Sequence, residues 1–197
     1  MPKLACKIPK KVALACSGGA DSMAALSFLL RGRREVELLH YNHGTVAADE
    51  AENFLHKVAN DVGLKLSVGR SKNKLKESEA AWREARYSFF SQSTLPIVMG
   101  HHLNDAVEWW IFSSLRGNPK LMPVSRKHGS VDILRPFMFF TKNELVQHNY
   151  LSNITDPSNI NTDFSRNRIR SEIVPQALIV NPGLMKTIKN LYGKKNG

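Results

Sequence analysis

Cysteine is almost missing from this chain of 197 residues: Cys6 and Cys16 are the only two, and no Cys-x-x-Cys pair exists. That excludes a disulfide framework and a cysteine metal cluster. No stretch approaches the ~18 consecutive apolar residues of a membrane span. Met1 to Lys10 lacks the apolar core of a secretory leader, so a cytoplasmic chain with no membrane partner is expected. Acids are scarce as well, 17 against 28 basic residues, which leaves a net charge of +11 suited to polyanions. There is no internal repeat and no low-complexity segment. The dinucleotide-binding pattern fails for want of a third glycine, and the Lys-containing phosphate loop for want of Gly-Lys-Ser/Thr.

What is present is an alternation of short apolar runs and amphipathic stretches. Lys11 to Cys16 reads as a buried strand, Met23 to Leu30 as a helix, and Glu35 to Tyr41 as a second strand. Ala47 to Val62 has helical spacing and is stopped by Gly63. Leu64 to Val68 reads as a strand, Ser78 to Ser91 as a helix, and Leu95 to Met99 as a strand. Asn104 is placed to cap a helix over 105–115, and Ser130 to Leu134 is a further strand. Thr141 and Glu144 have capping-box spacing. Ser165 to Ala177 and Pro182 to Leu191 read as closing helices. The expectation is an α/β fold: a mostly parallel, Rossmann-like sheet with helices on both faces, then a small C-terminal helical segment. The expected division is 1–136 for the nucleotide-binding catalytic unit and 137–197 for a basic helical extension packed on it.

In such sheets ligands bind beyond the carboxyl ends of the strands. Three polar clusters fall there: Ser17 to Ser22, Asn42 to Gly44 and Gly100 to Glu108. Ser17-Gly18-Gly19-Ala20-Asp21-Ser22 sits where a strand turns into a helix. It is either a plain capped turn or an anion cradle, with Asp21 holding magnesium or capping the helix. Asp105 and Glu108 lie three apart, on one helical face. The run Arg70, Lys72, Lys74, Lys76 reads as a solvated loop or an RNA contact. Trp109 and Trp110 read as packing residues, and Asp156-Pro157-Ser158-Asn159 as a turn.

SGGADS (17–22) matches the SGGxDS pattern of the PP-loop ATP pyrophosphatases. With HYNHG (40–44), REARYSFF (83–90), GHHLNDAVE (100–108), LRG (115–117), ILRP (133–136), DPSN (156–159) and RNRIR (166–170), the chain resembles the tRNA(Ile)-lysidine synthetase family. The resemblance implies ATP and Mg2+ as cofactors, with tRNA and free L-lysine as partners. ATP would adenylate O2 of the wobble cytidine of an isoleucine tRNA with a CAU anticodon, and the lysine amine would then displace AMP at C2. Carried onto this sequence, the nucleotide site comprises Ser17, Gly18, Gly19, Ala20, Asp21, Ser22, His40, Asn42, His43 and His102, with Asp21 toward the metal. Asp105 and Glu108 would hold the lysine ammonium and accept its proton, with His101 assisting. Arg83 and Arg86 would bind phosphate or the lysine carboxylate. Arg166, Arg168 and Arg170 would be spread by a helix over roughly 200°. At least one is therefore expected in a salt bridge or in packing and the others, with Lys72 and Lys74, at tRNA phosphate.

The sequence departs from that family where Asn104 stands for an aspartate, Trp109 for a threonine and Thr45-Val46 for Leu-Arg. Many family members also continue into C-terminal tRNA-gripping domains. Two rivals stay open: an AMP-forming thiolase, which would need reactive cysteines, and a tRNA-binding protein of reduced or no activity. Oligomeric state, a homodimer included, is not legible.

Overall fold

Val12 and Leu14 point into one apolar layer and Ala13 into another, so the run Lys11–Ala15 is buried on both faces and forms the central strand, β1. The structure is a computed structural model that describes residues 3–71, 79–155 and 165–194. After β1 come α1 (Ala20–Arg31), β2 (Glu35–Asn42), α2 (Val46–Val62), β3 (Lys65–Arg70), α3 (Glu79–Phe90), β4 (Ile97–Met99) and α4 (Leu103–Leu115). They are followed by β5 (Ser125–His128), β6 (Val131–Leu134), α5 (Lys142–Val146), α6 (Ser165–Arg168), a π-helical turn (Ile169–Ile173), α7 (Val174–Val180) and α8 (Leu184–Lys194). The strands lie in the order β3-β2-β1-β4-β6-β5, all parallel except β5, which runs antiparallel to β6. This is the expected α/β arrangement. Chain order reverses between β1 and β4, and a crevice opens beyond their carboxyl ends at that point.

Three apolar clusters hold the layers. α1 and α2 pack on one face of the sheet together with Phe137, Phe140 and Leu145. Tyr87 and Phe90 of α3 pack on the other face, against Leu39, Ile97, Val131 and Ile133. A third cluster joins α4 to α7 and α8 through Val107, Ile111, Val174 and Ile188. The boundary expected after residue 136 therefore falls between segments that share the first cluster.

Local signals account for most element ends. Thr45 caps α2 by accepting from the Ala48 N–H at 3.2 Å, and Gly63 ends it in the left-handed region at φ 69°. Thr141 and Glu144 form the reciprocal capping box read from their spacing. One expectation needs correction, and one strand had not been foreseen. α4 begins at Leu103 and is capped by His102, not Asn104; Asn104 instead accepts a hydrogen bond from the Lys142 N–H at 2.8 Å. The strand β5, with the polar sequence Ser-Arg-Lys-His, carries no apolar alternation to announce it and forms by pairing at the sheet edge. Among the described residues no helix is long and apolar enough to cross a membrane.

Candidate functional site

A cleft of about 540 Å³ lies over the carboxyl ends of β1, β2 and β4. Its floor is the glycine turn. Gly18 sits at φ 81°, a conformation that favours glycine, and a Cβ there would stand 3.1 Å from Phe54 and 3.2 Å from Ile154. The turn is closed by its serines: Ser22 Oγ donates to the Gly19 carbonyl at 2.9 Å, while the Ser17 N–H donates to Ser22 Oγ at 3.3 Å. Ser17, Asp21 and Ser22 face the cleft. Gly18, Gly19 and Ala20 shape the turn behind them, and the Gly18 carbonyl accepts the Ile154 N–H at 3.0 Å.

The β4–α4 loop forms the adjoining wall. Gly100 permits its approach, because a Cβ there would lie 3.1 Å from the Asp21 carbonyl oxygen. His102 is buried and bridges the two loops: Nε2 is 3.6 Å from Asp21 Oδ1, Nδ1 is 3.4 Å from Asp105 Oδ2, and its N–H donates to Asp105 Oδ2 at 2.9 Å. Burial works against the imidazolium, but Asp105 and Asp21 outweigh it and raise the His102 pKa. His101 faces the cleft, and burial, helped by Arg135, Arg166 and Arg86, pushes it down to about 3 despite Asp105. It is neutral at physiological pH. Asp105 is held at about 2: burial would raise it, but His102, His101 and Arg166 prevail.

The structure reassigns the arginines of the RNRIR segment. Arg170 forks onto Glu108, with Nε 2.8 Å from Oε1 and Nη2 3.0 Å from Oε2, and reaches Asp105 Oδ1 at 3.5 Å. Arg166 Nη2 donates to Asp105 Oδ1 at 3.2 Å and its Nε lies 3.7 Å from Glu108. These two arginines are four apart, so one turn brings both onto the acids, whereas Arg168 is exposed. Asp105, Arg166 and Arg170 line the cleft, but Glu108 lies behind the guanidinium groups and does not. The two acids expected to stand free for an ammonium are thus already paired.

The opposite wall carries His40, His43, Trp82 and Arg86. His40 Nδ1 lies 3.0 Å from the Cys16 carbonyl, and burial lowers its pKa. It is therefore read as the neutral tautomer that donates there. The His43 ring lies 5.2 Å from that of Trp82, tilted by 32°, and burial beside Arg86 and His40 brings its pKa to about 4. Asn42 does not reach the cleft. Its amide donates to Asp49 and Glu52 at 2.8 Å each and its oxygen accepts the Gly44 N–H at 2.7 Å, so it fastens the loop to α2. Arg83 also stands outside the cleft, over the ring of Tyr87. Arg70 is spent on Glu52. Lys72, Lys74 and Lys76 and Asp156 to Asn159 lie outside the described residues.

Asp21 is the candidate metal ligand. Its Oδ1 is buried without a hydrogen-bond partner, and Lys142 Nζ lies 3.6 Å from Oδ2. Burial would raise its pKa, but His102 and Lys142 lower it overall, so the carboxylate is ionised. Among the described residues no group of three His, Cys, Asp or Glu is placed to hold a metal by itself. One ionised carboxylate suits a magnesium ion that arrives with phosphates and keeps its waters, rather than a protein cage.

Residues 3–177 match the family described as the PP-loop domain. The tRNA(Ile)-lysidine synthase of Persephonella marina is 31% identical over 201 residues, covering 92% of this chain and 44% of that protein. Those of Streptococcus gordonii and Neisseria meningitidis serogroup B are 29% and 32% identical, covering 92% and 85% of this chain and 45% and 43% of those proteins. The chain thus spans less than half the length of these curated relatives. A solved structure from Methanocaldococcus jannaschii, described as a predicted subunit of tRNA methyltransferase, is 14% identical with a TM-score of 0.48, covering 80% of this chain and 84% of that one. The family match takes in the glycine turn, the β4–α4 loop and the arginines that meet it, and the chain belongs to the PP-loop family.

Proposed function

We propose that this chain carries the active site of an ATP-dependent tRNA-modifying ligase, one that joins lysine to C2 of the wobble cytidine of an isoleucine tRNA with a CAU anticodon. The observation that carries this reading is that Asp105, Arg166 and Arg170 line the same cleft as Ser17, Asp21 and Ser22. A phosphate cradle and an amino-acid-sized set of charges share one space.

The chemistry needs both. A pyrimidine O2 leaves poorly, so it first attacks the α-phosphate of ATP and releases pyrophosphate. Ser17, Ser22 and the turn's backbone N–H groups face the charge that builds on that leaving group. Asp21 would hold magnesium, which supplies positive charge to the phosphates. His43 and Trp82 offer flat surfaces at the far wall, and Arg86 offers a cation for phosphate.

A lysine amine, having lost its proton, then attacks C2, and the C2–O2 bond breaks with AMP as the leaving group. Asp105 is too weak a base to take that proton at a pKa of about 2, and His101 at about 3 is little better. Asp105 instead anchors the ammonium by charge. Arg170 is matched to the lysine carboxylate, and once it turns there Glu108 becomes available to accept the proton. The thiolase alternative is disfavoured because burial raises the pKa of both Cys6 and Cys16, so neither is poised as a thiolate.

The test is incubation with ATP, radiolabelled lysine and an isoleucine tRNA bearing CAU. Label entering the tRNA with release of AMP and pyrophosphate is expected, and Asp105→Asn should stop transfer while ATP still binds. Tight RNA binding with no label transfer would sink the enzymatic reading and leave an RNA-binding protein.

A further inference from the structure

Tyr87, on the buried face of α3, is crowded by basic side chains from α3, β5 and the segment that follows β6. Arg83 of α3 and Arg126 of β5 lie 4.8 and 4.7 Å from the ring centroid, and His128 lies 5.0 Å from it, ring to ring. Arg135, just past the end of β6, is buried and close enough for its charge to act on Tyr87, Arg126 and Arg83, with Nη1 donating to the Pro123 carbonyl at 2.9 Å. Among the described residues none of Arg83, Arg126 and Arg135 forms an ion pair. Asp132 of β6 is turned to Lys127 instead, at 4.0 Å. The Nε atoms of Arg126 and Arg135 are both buried without a hydrogen-bond partner.

Like charges gathered without an acid repel one another, and buried N–H donors left unmet cost free energy. An oxyanion at the accessible face offsets the repulsion, and the planar guanidinium fork fits phosphate in particular. The group is accessible, because Arg83 is exposed and Arg126 half-buried. None of its members lines the cleft, yet the charge of Arg135 reaches His101, which does. β6 is the strand next to β4, so the group sits one strand end beyond the cleft.

We propose that Arg83, Arg126 and Arg135 around Tyr87 form a second anion site, which takes a phosphate of the RNA chain whose base occupies the cleft. This rests on the RNA substrate of the proposed function. The same phosphate chemistry is offered by pyrophosphate leaving the cleft, and the two sources are separable.

The variant is Arg126→Gln, with Arg126→Lys as a second substitution that keeps charge but loses the fork; unfolding curves establish that each folds. Binding of an anticodon stem-loop RNA is measured from low to moderate salt, and inhibition by inorganic pyrophosphate is measured in an ATP-binding assay. Arg126→Gln should weaken RNA binding about tenfold at low salt and lower the salt slope by about one, while pyrophosphate inhibition and ATP affinity stay unchanged. Arg126→Lys should keep the slope and lose less affinity. Weaker pyrophosphate inhibition with RNA binding intact would keep the anion site but assign it to pyrophosphate, overturning the RNA assignment. If the wild-type chain binds RNA and both measurements are unmoved in Arg126→Gln, the site is refuted. If the wild-type chain binds no RNA, the proposed function falls, and the pyrophosphate arm alone decides the anion site.

Discussion

Removing the Arg170 guanidinium probes the charge balance on which the cleft depends. Arg170 meets Glu108 through two bonds of 2.8 and 3.0 Å, and the side chains are 39% and 5% exposed. Hydrogen bonds to charged groups contribute about 1.5–3 kcal/mol each, and leaving a buried acid unpaired costs about 3–5 kcal/mol. Arg170 is more than a third exposed and Arg166 remains 3.7 Å from Glu108, so solvent and a second cation place the effect at the low end of these ranges. Arg170→Met should therefore destabilise the fold by about 2–3 kcal/mol at pH 7, which for a chain of this size lowers Tm by about 4–12 °C. Glu108→Gln should cost about 1 kcal/mol, since the guanidinium it frees can reach water. Urea unfolding of both single variants and the double variant closes a thermodynamic cycle, with an expected coupling of about 2 kcal/mol. A coupling below about 0.5 kcal/mol would refute the reasoning, because the fork would then behave as an ordinary surface pair.

Gly100→Ala places a Cβ 3.1 Å from the Asp21 carbonyl oxygen and 3.5 Å from Ser22 Cα. The glycine turn must shift, so a several-fold loss of ATP affinity and about 1–2 kcal/mol of stability are expected by calorimetry and unfolding. Gly193→Ala in α8, with nothing within 4 Å of its Cβ, should instead stabilise by about 0.5–1 kcal/mol; equal effects at the two sites would show that the close approach at Gly100 is unimportant. The two histidines should affect pH dependence with opposite signs. His101, lowered to about 3, contributes stability that is complete above its unfolded value of about 6.5 and is lost as pH falls toward 3, so His101→Gln should flatten the acid limb. His102 is raised, so its contribution is complete below about 6.5 and disappears as pH rises through its folded value; His102→Gln should remove that alkaline loss. Urea midpoints from pH 4 to 9 read both, and an acid limb unchanged in His101→Gln would contradict the neutral buried assignment.

Much of the fold was legible because its signals are local. Apolar runs alternating with helical spacing announced the parallel sheet, Gly63 and the Thr141–Glu144 box marked ends that the structure contains, and the polar clusters fell at strand ends. β5 was missed because its sequence has no alternation and its pairing with β6 alone makes it a strand. The cap of α4 was misplaced by two residues because asparagine is the commoner cap, whereas His102 takes that place between Asp21 and Asp105. Asn42 looked like a ligand because it ends a strand, but Asp49, Glu52 and the Gly44 N–H consume its hydrogen-bonding groups.

By itself the sequence determined the family, the sheet and the three loops that meet above it, because glycine turns, caps and periodicity act over a few residues. Tertiary structure decided how the charges are spent. The pairs of Arg166 and Arg170 with Asp105 and Glu108 span 58 to 65 positions, and the arginines around Tyr87 come from α3, β5 and the segment after β6. A side chain's charge is visible in sequence, but its partner depends on which elements the fold packs together and on how far water is kept from them. For that reason the acids that read as free are already paired, and an arginine cluster drawn from separate motifs is left without an acid among the described residues.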